Sequence, residues 1–337
     1  MPILSPSSVH VDQALTDVSI AFLQRGTYLH NRMFPPIPVP FQTGKYFTLP
    51  RGYFNRISMR ERAPGETAAR GTYAQETQTF NCKVFALAHD VADEVRGNAD
   101  VAINIDLQAT EFLTTQAALF REKAWATRYF QPGVWSTTIA GVASGAGSGA
   151  AGAPGAGQTL RWDDANSDPI KVIKAQCTNV EQSTGLRPNK MAISRAVLDA
   201  LTEHPDIIDR IKYGQTPGSP AIANLEILAQ IFGLQEVVVG SAVENAAAEG
   251  LADNHQFILS KSVLLAHAAP SPGIMTASAG YTFVWQDATV GVKQGLGIKR
   301  ARNPDPTANA DIFWIEDSFE QKVVSPDLAV FLHNVIG

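Results

Sequence analysis

Only two cysteines occur in the 337 residues, Cys82 and Cys177, with no CxxC pair and no histidine cluster beside either. That excludes a disulfide framework and a cysteine-built metal site, and fits a reducing compartment with both thiols inert. No apolar run reaches the ~18 residues needed to span a bilayer. The opening stretch MPILSPSSVHVDQALTDVSIAFLQRG lacks the basic start and unbroken apolar core of a secretory leader. Basic excess is missing too: the net charge is -5 and the pI about 5.8, which argues against a dedicated DNA-binding domain, because phosphate binding depends on clustered Lys and Arg.

Catalytic signatures are equally scarce. No GxxxxGK[ST], GxSxG or HExxH occurs, and the seven histidines are dispersed. His89-Asp90 and Glu203-His204 pair an imidazole with a carboxylate, but neither has a nucleophile or second carboxylate beside it in sequence; His204, just before Pro205, reads as a helix N-cap. Gly147, Gly149 and Gly152 form a literal GxGxxG, yet Ala153-Pro154-Gly155 follows, where a dinucleotide cradle needs a helix to open. No catalytic, cofactor-binding or metal-ligating residue is assigned, and no cofactor is expected. The chain is not expected to be an enzyme; a soluble α+β enzyme using His204 or the glycine run is the alternative from another class.

What is present is a foldable composition, 45% hydrophobic and 18% charged, in a length suited to about two domains. Residues 1–34 read as an arm with a helical stretch from Val11 to Leu23, followed by the proline-rich connector MFPPIPVPF, which can be neither helix interior nor central strand. From Gly44 to Val91 the pattern is that of a long hairpin. Tyr46, Phe47, Tyr53, Phe54 and Ile57 lie on the ascending side, and Tyr73, Phe80, Val84 and Phe85 on the descending side of a Pro64-Gly65 turn. Ile105, Ala109, Phe112, Leu113, Ala117, Phe120 and Ala124 recur at helical spacing, predicting one helix of roughly 25 residues and about 38 Å. Residues 141–157 read as a flexible, glycine-rich boundary. Beyond it come a helix capped by Ser167 or Asp168, a KMAIS strand, helices starting at Ser194 and Pro205, a helix closed by Gly233, and strands at LQEVVVGSAV, FILS, VLLAHA and YTFVWQ. Strands and helices mix without a βαβ repeat, so the fold class is α+β.

The hairpin is basic and has little to bury. Lys45, Arg51, Arg56, Arg60, Arg62, Arg70 and Lys83 outweigh Glu61, Glu66 and Glu76, whereas acids dominate from Asp163 to Asp253. Opposite charge on separate parts of one chain suits self-association.

The order of parts resembles the major capsid proteins of tailed bacteriophages with the HK97-type fold. The residues that carry the resemblance are MFPPIPVPFQTGKYFTLPRG, ATEFLTTQAALFREKAWATRYF, TGLRPNKMAISRAVLDALTEHPDIIDRIKYG and the VVVGSAVENAAAEG to GYTFVW succession. It implies an arm and connector over residues 1–43, an extended loop over 44–83, a peripheral domain with a spine helix over 84–165, an axial domain over 166–280, and return strands with the C-terminus over 281–337. It also implies that the loop lies across a neighbouring subunit, which places Arg56, Arg60, Glu61, Arg62, Pro64, Gly65, Glu66 and Arg70 at an inter-subunit contact. The expected role is structural: hexamers and pentamers forming an icosahedral head in the virion, assembled in the host cytoplasm. Its contacts with packaged double-stranded DNA would be weak, portal, scaffold and decoration proteins are compatible partners, and no membrane is involved. An encapsulin-like nanocompartment shell is the alternative within the same fold. Lys45 lies at the hairpin base and not at its tip, so no Lys–Asn cross-link is assigned.

Overall fold

The computed structural model describes residues 28–48, 52, 55–99, 104–214, 224–273, 276–286, 296–305 and 307–337. The expected helix from Val11 to Leu23, and Tyr53 and Phe54 of the hairpin, lie outside the described residues. In chain order the strands are β1 (Pro36–Val39), β2 (Thr43–Thr48), β3 (Glu76–Asn81), β4 (Lys83–Ala92), β5 (Thr137–Val142), β6 (Gln158–Leu160), β7 (Lys190–Ser194) and β8 (Glu236–Gly240). They continue with β9 (Val243–Asn245), β10 (His255–Phe257), β11 (Val263–Ala266), β12 (Gly280–Trp285), β13 (Leu296–Arg302), β14 (Ala310–Val323) and β15 (Ala329–His333). The class is α+β, as the sequence pattern implied.

The predicted long helix runs from Ile105 to Tyr129, 25 residues, with the Asn104 side chain accepting from the Leu107 amide at 3.1 Å. Ile105, Ala109, Leu113 and Ala117, spaced by four, face Val91, Phe313 and Ile315. Trp125, Ala126 and Tyr129 continue the buried face against Leu29, Met33 and Phe34. Phe112 and Phe120, expected inside, are 45% and 41% exposed. Each follows a buried stripe residue, Ala109 or Ala117, by three positions and so lies about 60° to one side of it. They lie instead beside β4, Phe120 at 4.6 Å from Phe85 and Phe112 at 5.7 Å from His89.

One sheet has the order β1-β12-β14-β13, with β4 also paired to β14. The proline connector does form a strand, but at an edge, parallel to β12. The Pro35 carbonyl accepts from Thr282 and that of Val39 from Gln286, so alternate residues face β12 while Pro36 and Pro38 face outward, where no N–H is missed.

The second sheet has the order β6-β5-β15-β11-β7-β8. It is covered on both faces, which is why β11 reads as a continuous apolar run. Val263 and Leu265 pack under the helices Pro169–Thr184, Arg195–Glu203, Pro205–Gly214 and Leu225–Phe232, while Leu264 and Ala266 meet Trp125 and Phe331 on the other side. The caps agree with expectation: the Asp168 carboxylate accepts from the Lys171 amide at 2.8 Å, and Gly233 closes its helix at φ 73°. Two strand expectations are corrected. LQEVVVGSAV breaks after Gly240, where a Cβ would lie 2.1 Å from Leu259 Cδ1, and FILS keeps only Phe257 in a strand.

The glycine run is not a flexible coil. Its backbone folds on itself, Gly147 N–H donating to the Gly152 carbonyl at 2.9 Å and Gly149 N–H to that of Ala153 at 2.8 Å, while Gln158 Oε1 accepts from Ser148 and Gly155. A Cβ on Gly147 would meet the Ala153 carbonyl at 2.0 Å. Glycine is used here to let backbone approach backbone. Gly141 of β5 is confined similarly, a Cβ there falling 2.1 Å from the Asn334 carbonyl oxygen. Gly141→Ala is therefore expected to destabilise the subunit by ~1–3 kcal/mol through overpacking, read as a lowered urea midpoint of unassembled protein.

Candidate assembly interface

β2 and β3 form the base of the basic hairpin, in register from Thr43 opposite Asn81 to Thr48 opposite Glu76. Its footing is aromatic. Phe80 stacks on Phe283 with ring centroids 4.6 Å apart, Tyr46 lies 5.4 Å from the same ring, and Gly44 leaves room where a Cβ would sit 2.5 Å from Phe80 Cζ. Cys82 separates β3 from β4, its amide donating to the Gln42 carbonyl at 2.8 Å. Burial pushes the Cys82 thiol up to about 11 and raises that of Cys177 as well, which keeps both protonated at neutral pH.

The hairpin is shorter in paired strand than its sequence suggested. Val84 and Phe85 belong to β4, which leaves the hairpin to pair with β14. Residues 55–75 carry no strand pairing among the described residues and are exposed throughout, including Arg56, Arg60, Glu61, Arg62, Pro64, Gly65, Glu66 and Arg70. The tip is a type II turn in geometry: Glu66 N–H donates to the Ala63 carbonyl at 3.1 Å, Pro64 fixes the first corner and Gly65 takes φ 86° at the second. Ile57, placed by the sequence on the ascending side of the hairpin, and Met59, which the sequence reading passed over, are each 92% exposed.

Another exposed apolar region lies on the body. Val84, Phe85 and Leu87 of β4, Ala117 and Phe120 of the long helix, and Ile315 line a trough of about 440 Å3. Arg121 closes one side by a bidentate pair with Asp317, both contacts 2.6 Å. At the far end of the same helix, Arg96 bridges Asp106 at 2.8 Å and Asp311 at 3.1 Å, with Arg300 and Arg302 completing a network that ties helix, β13 and β14 together. Hydrogen bonding by Arg302 holds the Asp93 carboxyl below its usual range, and that by Arg300 does the same for Asp311.

The acids expected to face the hairpin arginines are partly engaged within the subunit. Glu181 pairs with Arg187, Asp199 with Arg195, Glu236 with Arg32 and Lys190, and Glu244 with Lys123. That block therefore presents less free negative charge than its sequence count suggested.

Glu122 is the structural tie least visible in sequence. Its carboxylate is fully buried on the long helix and accepts from the Leu29 amide at 2.9 Å and the His30 amide at 3.1 Å, with His30 Nδ1 at 3.0 Å. It thereby caps the turn Leu29–Met33 and fastens the end of the arm to the helix.

The residues weighed for catalysis have structural partners. His204 Nδ1 accepts from the Asp206 amide at 3.3 Å, the expected cap, and its Nε2 lies 3.0 Å from Ser167 Oγ. Ser167 and His204 are both buried, and the ring nitrogen that a carboxylate would orient in a hydrolytic triad already receives a backbone amide. Among the described residues no cluster of three His, Cys, Asp or Glu side chains could hold a metal ion, and no helix is long and apolar enough to cross a membrane.

Comparison with known proteins bears directly on this arrangement. The family described as phage major capsid protein E matches residues 155–281. The major capsid protein of Pseudomonas phage JBD67 is 26% identical over 355 residues, covering 99% of this chain and 100% of its own. That of Burkholderia phage BcepMu is 25% identical over 236 residues, 69% of each chain. Among solved structures, a phage-related protein from Bordetella bronchiseptica RB50 aligns with a TM-score of 0.66 at 22% identity, over 96% of this chain and 97% of that one. The capsid structure of Cyanophage P-SCSP1u gives 0.60 at 14% identity over 94% and 90%, and the SrpI encapsulin of Synechococcus elongatus gives 0.52 at 10% identity over 97% of each. The fold is the HK97-type capsid fold, which phage shells share with encapsulins. The sequence relatives are phage major capsid proteins.

Proposed function

We propose that many copies of the chain form hexamers and pentamers that close into an icosahedral head around phage double-stranded DNA, assembled in the host cytoplasm. The observation that carries this reading is a hairpin whose distal residues 55–75 are exposed throughout, Ile57 and Met59 included. A lone subunit loses stabilisation by holding such residues in water, whereas a neighbour can bury them. Residues 44–83 then act as the extended loop, 84–165 as the peripheral domain, 166–280 as the axial domain, and 281–337 as return strands and C-terminus. The tip residues from Arg56 to Arg70 make the inter-subunit contact. DNA is held by weak contacts, consistent with the net charge of -5, and portal, scaffold and decoration proteins are the partners such a shell would use.

Encapsulins share the fold, so the choice of a phage head rests on the sequence relatives. Electron microscopy of protein from infected cells is expected to show tailed, DNA-filled heads containing this chain. Shells filled with a cargo enzyme and no genome would make it a nanocompartment, and soluble protein that never forms shells would end the structural reading.

A further inference from the structure

We propose that Glu320 and Lys322 of β14 are positioning residues that hold the hairpin at the angle at which it leaves the subunit, and that this angle fixes the size of the particle that copies close into. The second clause rests on the shell reading above, whereas the first stands on the subunit alone. β14 runs beside the hairpin without pairing to it, its strand partners being β12, β13 and β4. Glu320 and Lys322 stand opposite Phe283 and Tyr281 of β12, and so share the face on which Phe80 of the hairpin is stacked. From there they reach the backbone of β3. The Glu320 carboxylate accepts from the Asn81 amide at 2.5 Å, and Lys322 Nζ donates to the Thr79 carbonyl. The Cys82 amide turns inward to Gln42, so alternation puts the Asn81 and Thr79 groups on the outer edge of β3, which pairs only with β2 among the described residues. Two charged side chains thus stand where a third strand would, one as acceptor and one as donor, in hydrogen bonds of the stronger, charge-assisted kind.

The clamp acts at the closed end of a wedge. There Phe80 lies on Phe283, while further out the hairpin and the body part company around an open cavity of about 490 Å3. Thr48, Glu76 and Gln78 line its hairpin wall, and Thr184, Leu186 and Ser325 its body wall. The body therefore does not stop the hairpin from tilting into that space. A two-stranded hairpin has little stability of its own, and one aromatic footing leaves it an axis to rock about. What fixes the tilt is the pair of contacts from β14, because they grip the backbone of β3 at two points two residues apart. Residues 55–75 lie beyond, so a small tilt at the base is a large displacement at the tip. Where neighbours meet through the tip, that displacement changes the rotation between copies, and the rotation decides how a head-to-tail assembly closes.

The test is a charge swap in the full chain, Glu320→Lys with Lys322→Glu. It keeps the net charge and the attraction between two side chains 3.9 Å apart, but sets a donor against the Asn81 amide and an acceptor against the Thr79 carbonyl. Nitroxide labels on Thr77→Cys and Gln182→Cys, both exposed, read the tilt, while the native Cys82 and Cys177 are buried and stay unlabelled. A narrow distance distribution is expected with the native pair and with Lys322→Arg, which keeps the donor, and a broadened or shifted one with the swap. Electron microscopy should show particles of one diameter for the first two, and mixed diameters or open sheets for the swap. An unchanged distribution in the swap would overturn the clamp. A changed distribution with particles of wild-type diameter would overturn the link from tilt to size. If circular dichroism shows the swap unfolded, Lys322→Met, which only gives the Thr79 carbonyl back to water, is read by the same two measurements with the same outcomes. Failure of the wild-type chain to form particles would remove the shell reading and the size clause, and the label distances would still decide the clamp.

Discussion

Reversing Arg60 and Arg62 to glutamate is expected to leave a folded subunit that does not assemble. Both side chains are exposed and touch no core cluster, so the circular dichroism spectrum and the urea midpoint of the subunit should match wild type. At an interface, like charges set opposite one another disfavour association by several kcal/mol, and a shell repeats that penalty at each contact. Sedimentation velocity should show monomers or isolated capsomers at moderate salt. Exposed charges are screened over about 8–10 Å at physiological ionic strength, so added salt should weaken the repulsion and partly restore assembly. Normal shell formation by the double variant at low salt would show that these arginines are solvated and hold nothing together.

Glu122→Ala should act on the subunit itself. It removes the acceptor for the Leu29 and His30 amides and for His30 Nδ1 in a site closed to water. An unmet buried donor costs ~1–3 kcal/mol, so a loss of about 3 kcal/mol is expected after partial relaxation. Glu122→Gln keeps one acceptor oxygen and should lose less. Urea denaturation gives the energies, and amide exchange at residues 28–34 should rise because those amides are what the carboxylate protects. A variant within ~0.5 kcal/mol of wild type, the range of ordinary surface changes, would mean the arm end is held by apolar packing alone.

These two effects differ in how far the sequence foretold them. The basic hairpin and the long helix were legible because period, charge and caps are local signals. The trough was not: Phe112 and Phe120 fit a helical stripe, and only packing against β14 decides which side of the helix faces in. Val84 and Phe85 read as hairpin because the apolar pattern runs on past Cys82, whereas the break is imposed by pairing with a strand more than 200 residues away. The glycine run was misread as mobile, since composition alone does not distinguish backbone freedom from backbone contact. Glu122 gave one faint signal, an acid on the apolar side of a helix, and its partner Leu29 lies 93 residues away.

The outward prolines of β1 bear on symmetry. Pro36 and Pro38 leave that edge with carbonyls and no donors, so it cannot take part in a ladder that needs N–H groups from both strands. Two copies are thereby barred from joining through β1 edge to edge about a two-fold axis, the arrangement that would satisfy a pair and stop there. A hairpin meeting a different patch on its neighbour is a heterologous contact, and such contacts propagate head to tail until the rotation closes a ring. With the self-complementary route blocked at this edge, the proposed shell would have to grow through contacts of the heterologous kind, each copy giving its hairpin to the next.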